Sequence, residues 1–153
     1  MKKAIFGAGC FWGVEEAFSK IKGVIQTTVG YMGGKLKNPT YEDVCTDETG
    51  HIEVIQIEYD PSILSYEKLL EIFWKIHDPT QLNRQGVDFG TQYKSVIFYH
   101  DEDQKKTAIA SKNKLDISNK FEKPVVTEIR KVETFYPAEE YHQKYFQKHQ
   151  HHC

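Results

Sequence analysis

Between positions 52 and 77 the apolar residues change their spacing once, and that change limits the fold more than any other feature of the chain. Ile52-Glu53-Val54-Ile55-Gln56-Ile57-Glu58-Tyr59 alternates apolar with polar residues, the two-residue period of a strand with one wet face, and Asp60-Pro61 ends it. Past Ser65, a residue able to cap a helix, Leu69, Leu70, Phe73, Trp74 and His77 recur at helical spacing until Asp78-Pro79. The same switch occurs earlier: residues 3–8 form a short apolar run that breaks at Gly9, and Phe11, Val14, Phe18 and Ile21 then follow at helical spacing. Residues 24–31, 95–99 and 125–132 read as further strands. Asp101 with Gln104 resembles a capping box for a lysine-rich helix running to about position 119. The order β-α-β-β-α-β-α-β predicts an α+β fold: a two-layer α/β sandwich with a mixed sheet and helices on one face. Its core is a ferredoxin-like β-α-β-β-α-β unit, followed by an irregular, aromatic and His-rich tail over 137–153.

Two stretches resist assignment to strand or helix. Residues 35–50 and 80–92 are polar, punctuated by glycine, and read as long loops of the kind that carries function. With 153 residues the chain is one domain's worth, and at that length roughly 70% of the unfolded surface is buried on folding. A core therefore needs neither disulfides nor a structural metal. The three cysteines could not form a disulfide framework, and at least one must stay free in any intramolecular pairing. That usage points to a reducing, cytoplasmic setting or to thiols kept for chemistry. Twenty Lys and Arg against 22 Asp and Glu leave a net charge of -2, which excludes the broad electropositive field that nucleic acid requires. No run approaches 18 apolar residues, so no membrane span is predicted. Met1-Lys2-Lys3 and the apolar residues after it are too short and too glycine-rich for a signal peptide. We expect a monomeric single domain over 1–153.

Cys10 lies where a strand hands over to a helix, near the unpaired N–H groups of the first turn, an environment expected to lower a thiol's pKa. The plain alternative is a buried small hydrophobe. Phe11 belongs to the apolar stripe of the helix, whereas Trp12 lies off it and reads either as a wall for an apolar ligand or as a lid over a neighbouring loop. Glu53 shares its strand face with Ile55 and Ile57, so it is either desolvated, with a raised pKa suited to an acid, or solvated near the strand's end. His51 could act as base toward Cys10, as in a cysteine hydrolase, but reads better as a hydrogen-bonding residue at the end of a loop.

Four blocks carry a resemblance. Gly9-Cys10-Phe11-Trp12-Gly13, Asn38-Pro39-Thr40-Tyr41, Gly50-His51-Ile52-Glu53-Val54 and Asp88-Phe89-Gly90-Thr91-Gln92-Tyr93-Lys94-Ser95 resemble, in order and spacing, the motifs of the A-type peptide methionine sulfoxide reductases. The resemblance runs from about position 3 to about 147. It implies reduction of the S-epimer of methionine sulfoxide, free or in proteins, with Cys10 as nucleophile on the sulfoxide sulfur. It further implies that Phe11 and Trp12 hold the substrate methyl, that Glu53, Tyr41 and Tyr93 surround the oxygen, and that Asp88 joins the adjoining polar network. The chemistry independently suits such a set, because a thiolate attacks a sulfoxide only as the oxygen is protonated, and phenols with pKa near 10 donate without ionising.

The resemblance also implies a resolving cysteine in the C-terminal tail, a place that Cys153 takes, and electrons from thioredoxin or another dithiol with no bound cofactor. Cys45, in the loop between Tyr41 and Glu53, is a rival resolver or a loop thiol without a redox role. His149, His151, His152 and Cys153 offer metal-ligand atoms but match no closed structural zinc spacing, and no metal site is expected. The alternative to an enzyme is a thiol redox sensor or metal-binding module that turns nothing over.

Overall fold

A computed structural model describes residues 1–145. In chain order it forms β1 (Lys2–Ala8), α1 (Phe11–Ser19), β2 (Val24–Met32), α2 (Tyr41–Cys45), β3 (Ile52–Tyr59) and α3 (Tyr66–Ile76). These are followed by β4 (Arg84–Gln85), β5 (Asp88–Phe89), β6 (Ser95–Tyr99), α4 (Glu102–Ile117), β7 (Glu128–Lys131) and β8 (Tyr136–Pro137), with short 3-10 turns over Thr91–Tyr93 and Glu140–His142. The main sheet runs β7-β6-β1-β3-β2-β8. Its middle four strands, β6-β1-β3-β2, are mutually antiparallel neighbours in the order of a ferredoxin-like unit, each crossover helix skipping one strand. The parallel pairing of β7 with β6 makes the sheet mixed, as expected.

Alternation along the strands sorts side chains to the two faces. Ala4, Phe6, Ile55, Ile57 and Ile97 meet Phe18, Leu69, Leu70 and Phe73 of the helices. Phe6 stacks between Phe18 at 5.7 Å and Phe73 at 5.0 Å. Ile5, Val54, Val96 and Phe98 face the other way and are covered not by a helix but by Val132 and Phe135, from the chain after β7. The helix layer thus lies on one face, and the C-terminal segment seals the second.

The predicted caps hold in part. Ser65 accepts a hydrogen bond from the Lys68 amide at 3.1 Å, and Asp101 accepts one from the Gln104 amide at 2.8 Å. The Gln104 side chain does not return to Asp101: its Oε1 accepts from the His100 amide and its Nε2 donates to the Lys3 carbonyl, tying α4 to β1.

Both long loops contain short elements. Residues 35–50 include α2, closed by a capping box in which Thr40 and Asp43 bond each other's amides at 3.2 and 3.0 Å. Residues 80–92 include the hairpin of β4 and β5. The final predicted strand shortens to β7 because Val125 and Val126 give their amides to Asp116 and to the Pro79 carbonyl instead of to the sheet.

Candidate active site

Gly9 makes the turn from β1 into α1 at φ +97°, and a side chain there would strike Gln85, whose Cγ would stand 2.8 Å from the added Cβ. Cys10 follows as the N-cap residue of α1. The helix end alone would lower the thiol pKa, and the Trp12 and Gly13 amides do pull it down. Burial pushes harder, Glu53's charge adds to it, and the thiol rises to about 12. The expectation from the helix end is therefore overturned: the resting group is a neutral thiol.

Glu53 lies on the helix face of β3, only 1% exposed. Its Oε1 accepts the Phe11 amide at 3.2 Å, while its Oε2 is buried with no hydrogen-bond partner among the described residues. Burial raises this carboxyl to about 8, partly offset by the Phe11 N–H and reinforced by Asp88. It is a neutral acid at pH 7, and in that state it no longer raises the thiol. The solvated reading of Glu53 does not hold.

Tyr41 begins α2, and Tyr93 ends the 3-10 turn that follows Gly90. Burial and then the Glu53 charge push both phenols upward, so each remains an O–H donor. Asp88 pairs with Gln85 across the small hairpin, and its charge acts on Cys10, Glu53 and Tyr93. Cys45 closes α2 and is exposed. Cys153 lies outside the described residues, as do His149, His151 and His152.

Phe11 is buried against Tyr31 at 5.8 Å and Tyr41 at 6.3 Å. Trp12, off the apolar stripe as predicted, stands partly exposed and stacks on Tyr145 at 3.9 Å. Its indole N–H donates to His142 Nδ1 at 3.0 Å. Burial lowers the pKa of His142, which favours the neutral ring that this acceptor role requires. The box is thus closed by residues that the sequence reading did not assign to the site. Glu139 accepts from the Tyr31 hydroxyl and the Tyr41 amide, both at 3.1 Å. Gln143 bonds the Val29 amide and carbonyl at 2.9 Å each, and Glu15 holds Thr27 at 2.8 Å and the Lys144 amide at 2.5 Å. The only sequence signal for these contacts is the aromatic and His-rich character of the tail.

His51 is not part of the site. It precedes β3, its Nδ1 accepts from the Gly34 amide at 3.1 Å, and its Nε2 donates to the Leu36 carbonyl at 2.6 Å. With both nitrogens engaged by backbone it braces the 33–51 loop and has no lone pair left for a base.

The arrangement sets a neutral thiol beside a neutral acid with one free carboxyl oxygen, two phenolic donors and an aromatic box. Such a set can protonate a polar oxygen while sulfur attacks the atom that bears it. The family model described as peptide methionine sulfoxide reductase matches residues 2–153. The peptide methionine sulfoxide reductase MsrA of Methanothermobacter thermautotrophicus is 59% identical over 147 residues, 96% of this chain and 87% of that protein. Reduced Mxr1 from Saccharomyces cerevisiae superposes with a TM-score of 0.93 at 33% identity, covering 99% of this chain and 87% of that one. Mxr1 in complex with Trx2 matches with a TM-score of 0.67 at 27% identity over 94% of this chain and 84% of that one.

Proposed function

Since the chain belongs to the peptide methionine sulfoxide reductase family, we propose that it reduces the S-epimer of methionine sulfoxide, free or in polypeptides, through the residues gathered around Cys10. The observation that carries the assignment of roles is Glu53 Oε2: a buried carboxyl oxygen without a partner, on a group that is protonated at pH 7. An orphaned buried polar atom is costly unless a ligand uses it, and a sulfoxide oxygen is a hydrogen-bond acceptor of the right kind.

The substrate methyl enters the box of Phe11 and Trp12, and the sulfoxide oxygen meets Glu53, Tyr41 and Tyr93. Glu53 gives its proton to the oxygen as the Cys10 sulfur attacks the substrate sulfur, and the thiol proton restores Glu53. The oxygen ends on Cys10 as a sulfenic acid and methionine leaves. Attack by the Cys153 thiol on that sulfenic acid expels water and forms a disulfide. A dithiol protein, thioredoxin, then reduces the disulfide by exchange, and the Mxr1 complex with Trx2 supports that partner. From Tyr145, which stacks on Trp12, eight residues lead to Cys153. An extended segment of that length spans up to roughly 28 Å. The cycle uses side chains and an external dithiol and needs no bound cofactor.

Among the described residues no helix is long and apolar enough to cross a membrane. The same reading makes the protein a cytoplasmic, monomeric, single catalytic domain over 1–153, with 137–153 carrying the resolving thiol and Asp88 in the polar rim of the pocket.

Incubation with the separated S and R epimers of an N-acetylated methionine sulfoxide ester and dithiothreitol tests the reaction. Consumption of the S epimer alone is expected, and failure to consume it favours a thiol sensor that turns nothing over. For recycling, Cys153→Ser is expected to spare one turnover per enzyme, stop thioredoxin-driven cycling and leave a trappable sulfenic acid on Cys10. A Cys10–Cys45 disulfide in the oxidised wild type would move the resolving role to Cys45.

A further inference from the structure

The β4–β5 hairpin carries apolar side chains that its position does not require. Val87 at its tip is 90% exposed and Phe89 66%, and Leu82 just before it is 63% exposed. Single exposed apolar residues are ordinary, but three within eight positions of one loop form a patch. The hairpin is held in place. Gln85 bonds the Asp78 amide at 2.8 Å and the Asp78 carbonyl at 2.9 Å, and Gln81 takes the Gly86 amide at 2.7 Å. The Arg84 guanidinium sits 4.7 Å from the centre of the Phe89 ring and fixes its face.

The two sides of this hairpin do different things. Cross-strand partners share a face, so Gln85 and Asp88 lie on one side, against Gly9 and the thiol, while Arg84 and Phe89 lie on the other. On that outer side Leu82 and Arg84 line a groove of about 550 Å³ with Lys120, Phe121 and Lys123. Val87 and Phe89 flank Asp88 along the chain, and Gln85 abuts Gly9, so the apolar residues stand beside the reaction site.

We propose that the outer side of this hairpin docks the polypeptide that flanks an oxidised methionine, with an apolar side chain of the substrate seated on Val87 and Phe89. The inference rests on the sulfoxide-reduction reading and extends it from the reacting side chain to the chain around it. Residues two to four positions from the sulfoxide in an extended segment lie about 7–13 Å away, enough to cross a hairpin whose strands are about 4.8 Å apart. Free methionine sulfoxide has nothing to place there, so the patch acts on peptide substrates alone.

The test uses the full chain with dithiothreitol as reductant, so that no reductant protein competes for the patch. Its substrates are the S-sulfoxide ester and two peptides that carry the sulfoxide between leucines or between serines. Wild type is expected to favour the leucine peptide about 10-fold in kcat/KM, the range that one apolar contact supplies. Val87→Ser/Phe89→Ser is expected to erase that preference with the ester rate unchanged. Both positions are exposed, so the variant should melt with wild type. Equal use of the two peptides by wild type overturns the proposal, as does an equal fall in ester and peptide rates, which would make the hairpin a support for Asp88. In a parallel series with thioredoxin replacing dithiothreitol, a variant defect confined to that series would give the patch to the reductant and overturn the proposal. If wild type consumes neither ester nor peptide, the reduction reading itself falls.

Discussion

Cys10→Ser is expected to lower single-turnover reduction of the S-sulfoxide by on the order of 10³-fold or more while leaving the fold intact. A serine hydroxyl is a poor nucleophile toward sulfur and cannot carry the oxygen away as a sulfenic acid. Its structural effect runs the other way. Cys10 is the N-cap of α1 and makes no side-chain cap bond. Serine is among the preferred N-caps, so the melting temperature should hold or rise. Loss of rate with retained melting separates the chemical role of the sulfur from its place in the helix. A rate near that of wild type would take the nucleophile away from Cys10 and point to Cys45.

Glu53→Gln is expected to lower the same rate by about 10²-fold, within the span of general-acid catalysis, and to stabilise the fold as pH rises. The glutamine keeps an oxygen for the Phe11 amide and removes a charge from a buried site. The folded carboxyl is raised to about 8 from the ordinary value of 4.5, so between those values the folded state binds a proton that the unfolded state has lost. Stability from this group is complete below about 4.5, falls through the window and is gone above about 8. Melting of the glutamine variant should therefore match wild type at pH 4 and exceed it increasingly up to pH 8 or 9, by a few kcal/mol on the scale of about 1.36 per pKa unit. Wild-type turnover should decline above about pH 8, where the acid loses its proton, and the variant should lack that limb. Cys10, Tyr41 and Tyr93, which feel the Glu53 charge, are all pushed well above this window by burial, and groups out of its reach titrate alike in both proteins and cancel in the difference. A melting gap that does not vary with pH would mean that Glu53 is ionised throughout.

A gain in stability on losing this buried carboxyl would fit a group kept at some cost to the fold. It also shows why this residue was legible in the sequence. A carboxylate in phase with Ile55 and Ile57 contradicts the two-residue pattern of its own strand, and such a local conflict marks a functional position. The turn at Gly9–Cys10 was legible for a related reason, since the apolar period changes there. Helix α2 was hidden because five residues with one buried side chain, Val44, carry too little periodicity to be seen. The raised thiol was hidden because a helix terminus can be read along the chain, but the depth at which it is buried cannot. Glu139, His142 and Gln143 were hidden because their partners lie about a hundred residues away, in β2, α1 and α2.

Those distant partners bear on the order in which the protein becomes competent as it leaves a ribosome. Once residues through Lys131 have emerged, every strand of the β7-β6-β1-β3-β2 array and helices α1 to α4 are available to fold. Trp12 still lacks His142 and Tyr145, and Tyr41 still lacks Glu139. A nascent chain at that stage would have Cys10 in place at the head of α1, while the contacts that fix Trp12 and Tyr41 beside it would form only once residues 139–145 had emerged.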